Sequence, residues 1–312
     1  MDLARQLVFQ NVPFVIRSIP DVKALQARWN QAYLSKELGQ MRVMVQIYKD
    51  KMLRYTDPQK LRLMELEDPE GAQELKEGPG ATTRDTRSIE SVLDYVAQHR
   101  GSSKNMQYAG ISGREFQKFP DENITRETLA MFTPLIKEHR YLQKPTFRLG
   151  FNELRYGAHF DWHSNYLAQV AGVKRVVLFN PVEGHKLHWV NDDAHPHFRQ
   201  ALVWPRLNLQ NQSEFPDFLG AKALQVVLHP GDMLLIPALW LHYLEAKSPV
   251  ASDNAGETSL PFWLNVNSFA AYTNTEGTDR PGDGQAAYIC PHGHDGKPIR
   301  GHYDVPLPRA EL

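Results

Sequence analysis

Ala158-His159-Phe160-Asp161-Trp162-His163-Ser164-Asn165-Tyr166-Leu167-Ala168-Gln169-Val170-Ala171-Gly172-Val173-Lys174-Arg175-Val176-Val177-Leu178-Phe179-Asn180-Pro181 is the stretch on which the reading of this chain turns. His159 and Asp161 stand two residues apart. On a β-strand their side chains leave the same face and reach one point without distorting the backbone. Gly172-Val173 then reads as a turn into Lys174-Arg175-Val176-Val177-Leu178-Phe179, a short β-branched strand with apolar residues on both faces. Lys174 shares a face with Val176 and Leu178, where an unpaired ammonium is costly to bury. Either an anion sits beside it or the side chain snorkels to the strand end.

Further along, His242 ends the run Pro237-Ala238-Leu239-Trp240-Leu241-His242 and supplies a third donor. Two imidazoles and one carboxylate on one face of an ion, with other positions open, suit a mononuclear non-haem Fe(II) oxygenase rather than a closed structural zinc site. Two more blocks follow the first in order, His229-Pro230-Gly231-Asp232-Met233-Leu234-Leu235-Ile236-Pro237 and Asn265-Val266-Asn267-Ser268-Phe269. Together the three blocks resemble the JmjC family of Fe(II)- and 2-oxoglutarate-dependent oxygenases. The similarity is greatest to its cupin-like hydroxylase branch, the asparaginyl hydroxylase and tRNA wybutosine hydroxylase type.

That resemblance implies a mainly β protein with α/β N-terminal elements, built on a double-stranded β-helix, the jelly-roll barrel of cupins. It implies Fe(II) held by His159, Asp161 and His242 inside one end of the barrel, and 2-oxoglutarate held by Lys174 through its distal carboxylate. Asn165, Gln169 and Asn267 match polar positions near the site, and Asn165 and Asn267 are expected to hydrogen-bond the cosubstrate or an iron-bound water. Tyr108, in the strand-like Asn105-Met106-Gln107-Tyr108-Ala109, either donates to the same distal carboxylate or is a core tyrosine. Tyr156 stands where relatives often carry a threonine, a departure at one cosubstrate contact. The implied reaction uses O2 and 2-oxoglutarate to hydroxylate a protein side chain, with release of succinate and CO2. Hydroxylation of a hypermodified tRNA base and lysine demethylation are compatible with the same ligands, and a cupin-like binding module is the non-enzyme alternative.

Composition agrees with such a protein. A chain of 312 residues with 42% hydrophobic content can bury a substantial core. There is no continuous apolar run of membrane-spanning length, and Met1-Asp2-Leu3-Ala4-Arg5-Gln6-Leu7-Val8-Phe9 is too interrupted by charge for a signal peptide. A single cysteine, Cys290, excludes an internal disulfide and favours a reducing compartment, cytoplasmic or nuclear. The net charge of −1 gives no global case for nucleic acid, while leaving room for a local basic patch.

The pattern divides the chain into α/β elements over 1–105, the barrel over 106–270 and a polar tail over 271–312. Within the first part, Val12–Arg17 reads as a strand, Val22–Leu38 as a helix packing on it, Met41–Tyr48 as a strand and Ser88–His99 as a helix. The charged, Gly- and Pro-containing stretch 65–87 reads as a mobile surface insertion, with a substrate-facing lid as the alternative. The stretch 185–214 holds His185, His188, His195 and His197 and reads as a long loop over the barrel mouth, its spacing matching no zinc pattern. His163 is expected at the rim or behind the ligands, and Asp232 as a turn residue after Gly231. The tail, rich in Gly, Pro, Asp and His, offers Cys290-Pro291-His292-Gly293-His294 and His302 but reads as an exposed or wrapping segment. It lacks an evident apolar helix for the dimer interface that several relatives build there.

Overall fold

The computed structural model describes residues 2–48, 51–78, 80–98, 106–111, 132, 141–142, 146–150, 153–201, 215–248 and 262–271. The expectations for the tail after residue 271, for residues 202–214 and for the Tyr108 side chain fall outside them.

Six helices are present among these residues: α1 (Asp2–Phe9), α2 (Pro20–Arg28), α3 (Gln31–Leu38), α4 (Pro58–Glu67), α5 (Pro69–Glu77) and α6 (Ile89–Gln98). The strands are β1 (Phe14–Ile16), β2 (Arg42–Tyr48), β3 (Met52–Leu53), β4 (Thr82–Ser88), β5 (Met106–Ile111), β6 (Tyr141–Leu142) and β7 (Thr146–Gly150). They continue with β8 (Glu153–His159), β9 (Ser164–Ala171), β10 (Val173–Phe179), β11 (Ala223–Leu228), β12 (Met233–Ile236), β13 (Leu241–Lys247) and β14 (Trp263–Ala271). Two sheets face each other. The larger runs β1-β12-β9-β14-β7-β5-β2-β4, with β6 on β14, and the smaller runs β11-β10-β13-β8-β3. All pairings are antiparallel except β3 with β8. The jelly-roll expectation holds: β8, β10, β11 and β13 pair in the smaller sheet while β9, β12 and β14 pair in the larger, so the chain crosses repeatedly between the two.

Alternation along the strands decides what faces inward. On β14, Leu264 and Val266 join the buried cluster containing Val22, Leu25 and Leu34 of α2 and α3, whereas Trp263 and Asn267 line the space between the sheets. On β9, Ala168 and Val170 face the same helical layer and Asn165 and Leu167 face inward. The helix α6 adds Ile89, Val92, Leu93 and Val96, an i, i+3, i+4, i+7 stripe, to that outer core. The outer face of the small sheet buries Val177, Phe179, Leu241 and Tyr243 against Leu187 and Ala201.

Three expectations are corrected. Residues 22–38 form two helices rather than one. The fully buried Trp29 ends the first and stacks on Phe147 at 4.8 Å, and Asn30 caps the second by accepting from the Tyr33 amide at 2.8 Å. The stretch 65–87 carries regular structure instead of a loop. Asp57-Pro58 and Asp68-Pro69 each place a capping carboxylate before a proline at the first helical position, starting α4 and α5. Thr82–Ser88 then pairs along its length with β2 as the sheet's edge, where alternating polar side chains are at home. Of the stretch 185–214 expected over the mouth, the described residues 185–201 bury Leu187 and Ala201 against the outer face of the small sheet, and Arg199 reaches Asp161 at the cleft. Strands β1, β2, β4 and β5 also continue the sheet that holds β9 and β14, whereas β3 adds to the smaller sheet beside β8.

Candidate functional site

The space between the sheets is a cleft of about 420 Å³, including its mouth, lined by Arg148, Tyr156, His159, Asp161, Lys174 and His242 among others. A register shift shapes it. His159 pairs with His242, and Tyr156 with Leu244, so three steps on β8 oppose two on β13. This β-bulge at Gly157-Ala158 reverses the alternation and lets Leu154, Tyr156 and His159 all face the cleft. Asp161 lies two residues beyond the end of β8, off the strand on which it was expected, but on the same side as His159.

His159, Asp161 and His242 come together with one donor atom from each within 4.8 Å of the others. It is the only such group of His, Cys, Asp or Glu among the described residues. Both imidazoles are fixed alike: Nδ1 of His159 bonds the Gly157 carbonyl at 2.8 Å, and Nδ1 of His242 bonds the Trp240 carbonyl at 2.9 Å. Each Nδ1 therefore carries the proton, and each Nε2 presents a lone pair to the cleft. Burial, followed by the neighbouring His242, pushes the His159 pKa down to about 3, and burial lowers that of His242. Neutral imidazoles are the form that ligates a cation. Burial works to raise the Asp161 pKa, but His159, His242, Arg148 and Arg199 outweigh it and hold the carboxyl below its usual range. A neutral nitrogen pair and an ionised carboxylate at this separation fit a divalent ion with open positions.

Lys174 does not snorkel. It is 5% exposed, its Nζ donates to Asn265 Oδ1 and lies 4.9 Å from the centre of a Trp263 ring. Burial, and then Arg148, drive its pKa well down. No carboxylate pairs with it among the described residues. From Asn265 a hydrogen-bond chain continues through its Nδ2 to Asn267 Oδ1, and from Asn267 Nδ2 to Asn165 Oδ1 at 2.7 Å. Asn165 and Asn267 thus sit in the cleft as expected, whereas Gln169, absent from its lining, turns back to donate to the Ala171 carbonyl at 2.6 Å. Tyr156 lines the cleft, its ring 5.4 Å from that of His159. Tyr108 lies on β5 with its backbone between Gln46 and Gly150.

Of the surrounding residues, His163 is half-buried outside the three-donor group, and His185, His188, His195 and His197 join no metal-ligating group among the described residues. Asp232 takes its turn role: after Gly231 at φ +99°, it accepts from the His229 amide at 2.9 Å and from Arg17. The sequence reading missed Arg148, Asn265 and Arg199. Arg148 gave little sign of itself, because in Thr146-Phe147-Arg148-Leu149-Gly150 it alternates with the apolar Phe147 and Leu149 as on a half-solvated strand, whereas Lys174 shares its face with Val176 and Leu178. Arg199 gave none, since it arrives from a loop with φ +72°.

Comparison with known proteins places this geometry in context. Residues 2–268 match the family described as the cupin-like domain. Among curated proteins, the tRNA wybutosine-synthesizing protein 5 of Danio rerio is 32% identical over 134 residues, 43% of this chain and 35% of that protein. The Jumonji C domain-containing protein 5 of Drosophila melanogaster is 30% identical over 108 residues, 34% of this chain and 23% of that protein. The lysine-specific demethylase 8 of Xenopus tropicalis is 32% identical over 88 residues, 28% of this chain and 19% of that protein. The chain thus spans about a third or less of the length of these relatives.

Proposed function

This chain belongs to the cupin-like domain family, and we propose that it is a JmjC-type Fe(II)- and 2-oxoglutarate-dependent oxygenase that hydroxylates a protein side chain. One observation carries the reading: the group of His159, Asp161 and His242 shares a cleft with a buried lysine that has no carboxylate partner among the described residues. A cupin needing only a metal has no comparable use for Lys174.

Fe(II) held by the three donors supplies the O2 chemistry that couples decarboxylation of 2-oxoglutarate to hydroxylation of a C–H bond. The protein's residues do the rest. The backbone bonds of His159 and His242 lock both rings in the ligating tautomer. Lys174 binds the distal carboxylate of the cosubstrate, and the Asn165–Asn267–Asn265 chain orients its polar atoms. Leu154, Leu167, Leu244 and Ala246 give the cleft apolar walls that exclude water. No acid–base dyad is required.

A second reading, hydroxylation of a hypermodified tRNA base, is favoured by the relative named for wybutosine synthesis. Demethylation would differ from either by releasing formaldehyde.

Anaerobic titration of the metal-free protein with Fe(II) and 2-oxoglutarate tests the proposal. The expected result is a visible metal-to-ligand charge-transfer band that needs both components and is lost in Asp161→Ala and weakened in Lys174→Ala. A folded, metal-loaded protein with no band would be a binding module or another cupin chemistry. With the band established, succinate formation on peptide and tRNA acceptors separates the two substrate readings.

A further inference from the structure

The cleft is unevenly charged. Among its lining residues Asp161 is the one carboxylate, and Lys174 and Arg148 are two cationic side chains. The second cation enters from the opposite sheet. Arg148 on β7 is the backbone partner of Asn265 on β14, and Asn265 is the residue whose side chain holds Lys174. The same strand brings Gly150 against Trp263, where an added Cβ would stand 2.5 Å from the ring. Arg148, Asn265, Trp263 and Lys174 therefore form one built corner of the cleft.

Register tells how deep that corner lies. β9 starts at Ser164, three residues after Asp161, and ends at the Gly172 turn. Asn265 pairs with Gln169, four residues further in than Asn165, or about 13 Å along the strand. On the small sheet Lys174 pairs with Ala246, again four residues inward from His242. Both cations are thus rooted at the inner end of their strands, and the Arg148 guanidinium reaches back far enough to help hold the Asp161 carboxyl below its usual range. The Arg148 guanidinium also lies 6.0 Å from the centre of the Tyr156 ring.

Resting on the cosubstrate reading above, we infer that Arg148 is a specificity-determining residue that shares with Lys174 the distal carboxylate of a five-carbon 2-oxo diacid. A planar guanidinium and a point ammonium, approaching from two walls, grip a carboxylate by both oxygens. Their mutual repulsion, which adds to the burial that depresses Lys174, is relieved by an anion placed between them. A 2-oxo acid without the distal carboxylate gains nothing from either.

The test is calorimetric binding to the Mn(II)-loaded protein, with no turnover. The probes are 2-oxoglutarate and 2-oxobutanoate, which is the same 2-oxo acid without its distal carboxylate. Arg148→Leu is expected to bind 2-oxoglutarate at least tenfold more weakly and 2-oxobutanoate within about twofold of the parent, with Arg148→Lys recovering part of the loss. Arg148→Gln carries the same expectation should the leucine variant not fold. Unchanged 2-oxoglutarate binding in the folded variants overturns the inference and would hand Arg148 to the acceptor. Equal losses for both probes overturn it in favour of a merely structural role. A parent protein that binds Mn(II) but not 2-oxoglutarate overturns the oxygenase reading itself, and this inference with it.

Discussion

The carboxylate of Asp161 is divided between two neighbours: Oδ2 lies 3.7 Å from His242 Nε2, and Oδ1 lies 3.6 Å from Arg199 Nη1. Arg199 is anchored in turn, donating to the Phe160 carbonyl at 3.2 Å, while its own carbonyl accepts from the Phe160 amide. One oxygen thus faces the imidazoles and the other is held away from them. Arg199→Ala should leave the barrel folded and weaken binding of Fe(II) or Mn(II) by about ten- to a hundredfold, as measured by metal titration. Arg199→Lys should recover part of it, and unaltered affinity would remove the arginine from the site.

Metal binding should stabilise the fold only through the three donors. The melting temperature of the parent protein should rise with Mn(II), by mass action on the native state. That rise should vanish in Asp161→Ala and His242→Ala and persist in His163→Ala. A stoichiometric loss of metal in His163→Ala would show that the ligands are wrongly assigned.

Lys174 connects binding to protons. Its pKa is lowered in the fold, so the unfolded chain holds more protons and its stability cost shrinks as pH rises toward the ordinary value of 10.5. Lys174→Met, which keeps the length and removes the ammonium, should raise the melting temperature near neutral pH and weaken 2-oxoglutarate binding. A carboxylate beside Lys174 favours its charged form. Binding of 2-oxoglutarate to the parent should therefore take up protons, seen as calorimetric heats that vary with buffer ionisation enthalpy. A buffer-independent heat would contradict the pairing.

Asp232 ties β1 to the turn before β12, accepting from Arg17 and from the Ser18 and His229 amides. Burial works to raise its pKa, but these bonds prevail and lower it below 3.8. The stabilisation is therefore present above that value and is lost as pH falls through the lower folded pKa. Asp232→Asn should cost about 1–3 kcal/mol at neutral pH, with the gap to the parent closing in acid. A gap that stays constant down to pH 2 would show that ionisation is irrelevant there.

Much of the site was legible in the chain because strand geometry is short-ranged. His159 and Lys174 follow from alternation around a recognisable turn, and Asn165, His242 and Asn267 from ordered blocks that resemble the family's. What was hidden depends on distant pairings. Nothing local announces that Arg148 will stand opposite Asn265, or that a loop forty residues past Asp161 will return Arg199 to it. The bulge at Gly157-Ala158 was invisible too, since inward alternation on β8 changes phase only once β13 is alongside. The helices at 58–77 were misjudged for a different reason. Charge and glycine were weighed above two Asp-Pro starts, and α4 buries no residue by which an apolar stripe would have revealed it.

The antiparallel partnership of β1 with β12 joins Phe14 to Leu235, and that of β8 with β13 joins His159 to His242. Such pairings have high contact order and carry a large loop-closure cost before they are rewarded. The two imidazoles can therefore meet only after most of the chain has threaded into place. A nascent or truncated chain would carry the same histidines without a cation trap, so ion capture becomes a late checkpoint in the life of the protein, passed by a completed barrel.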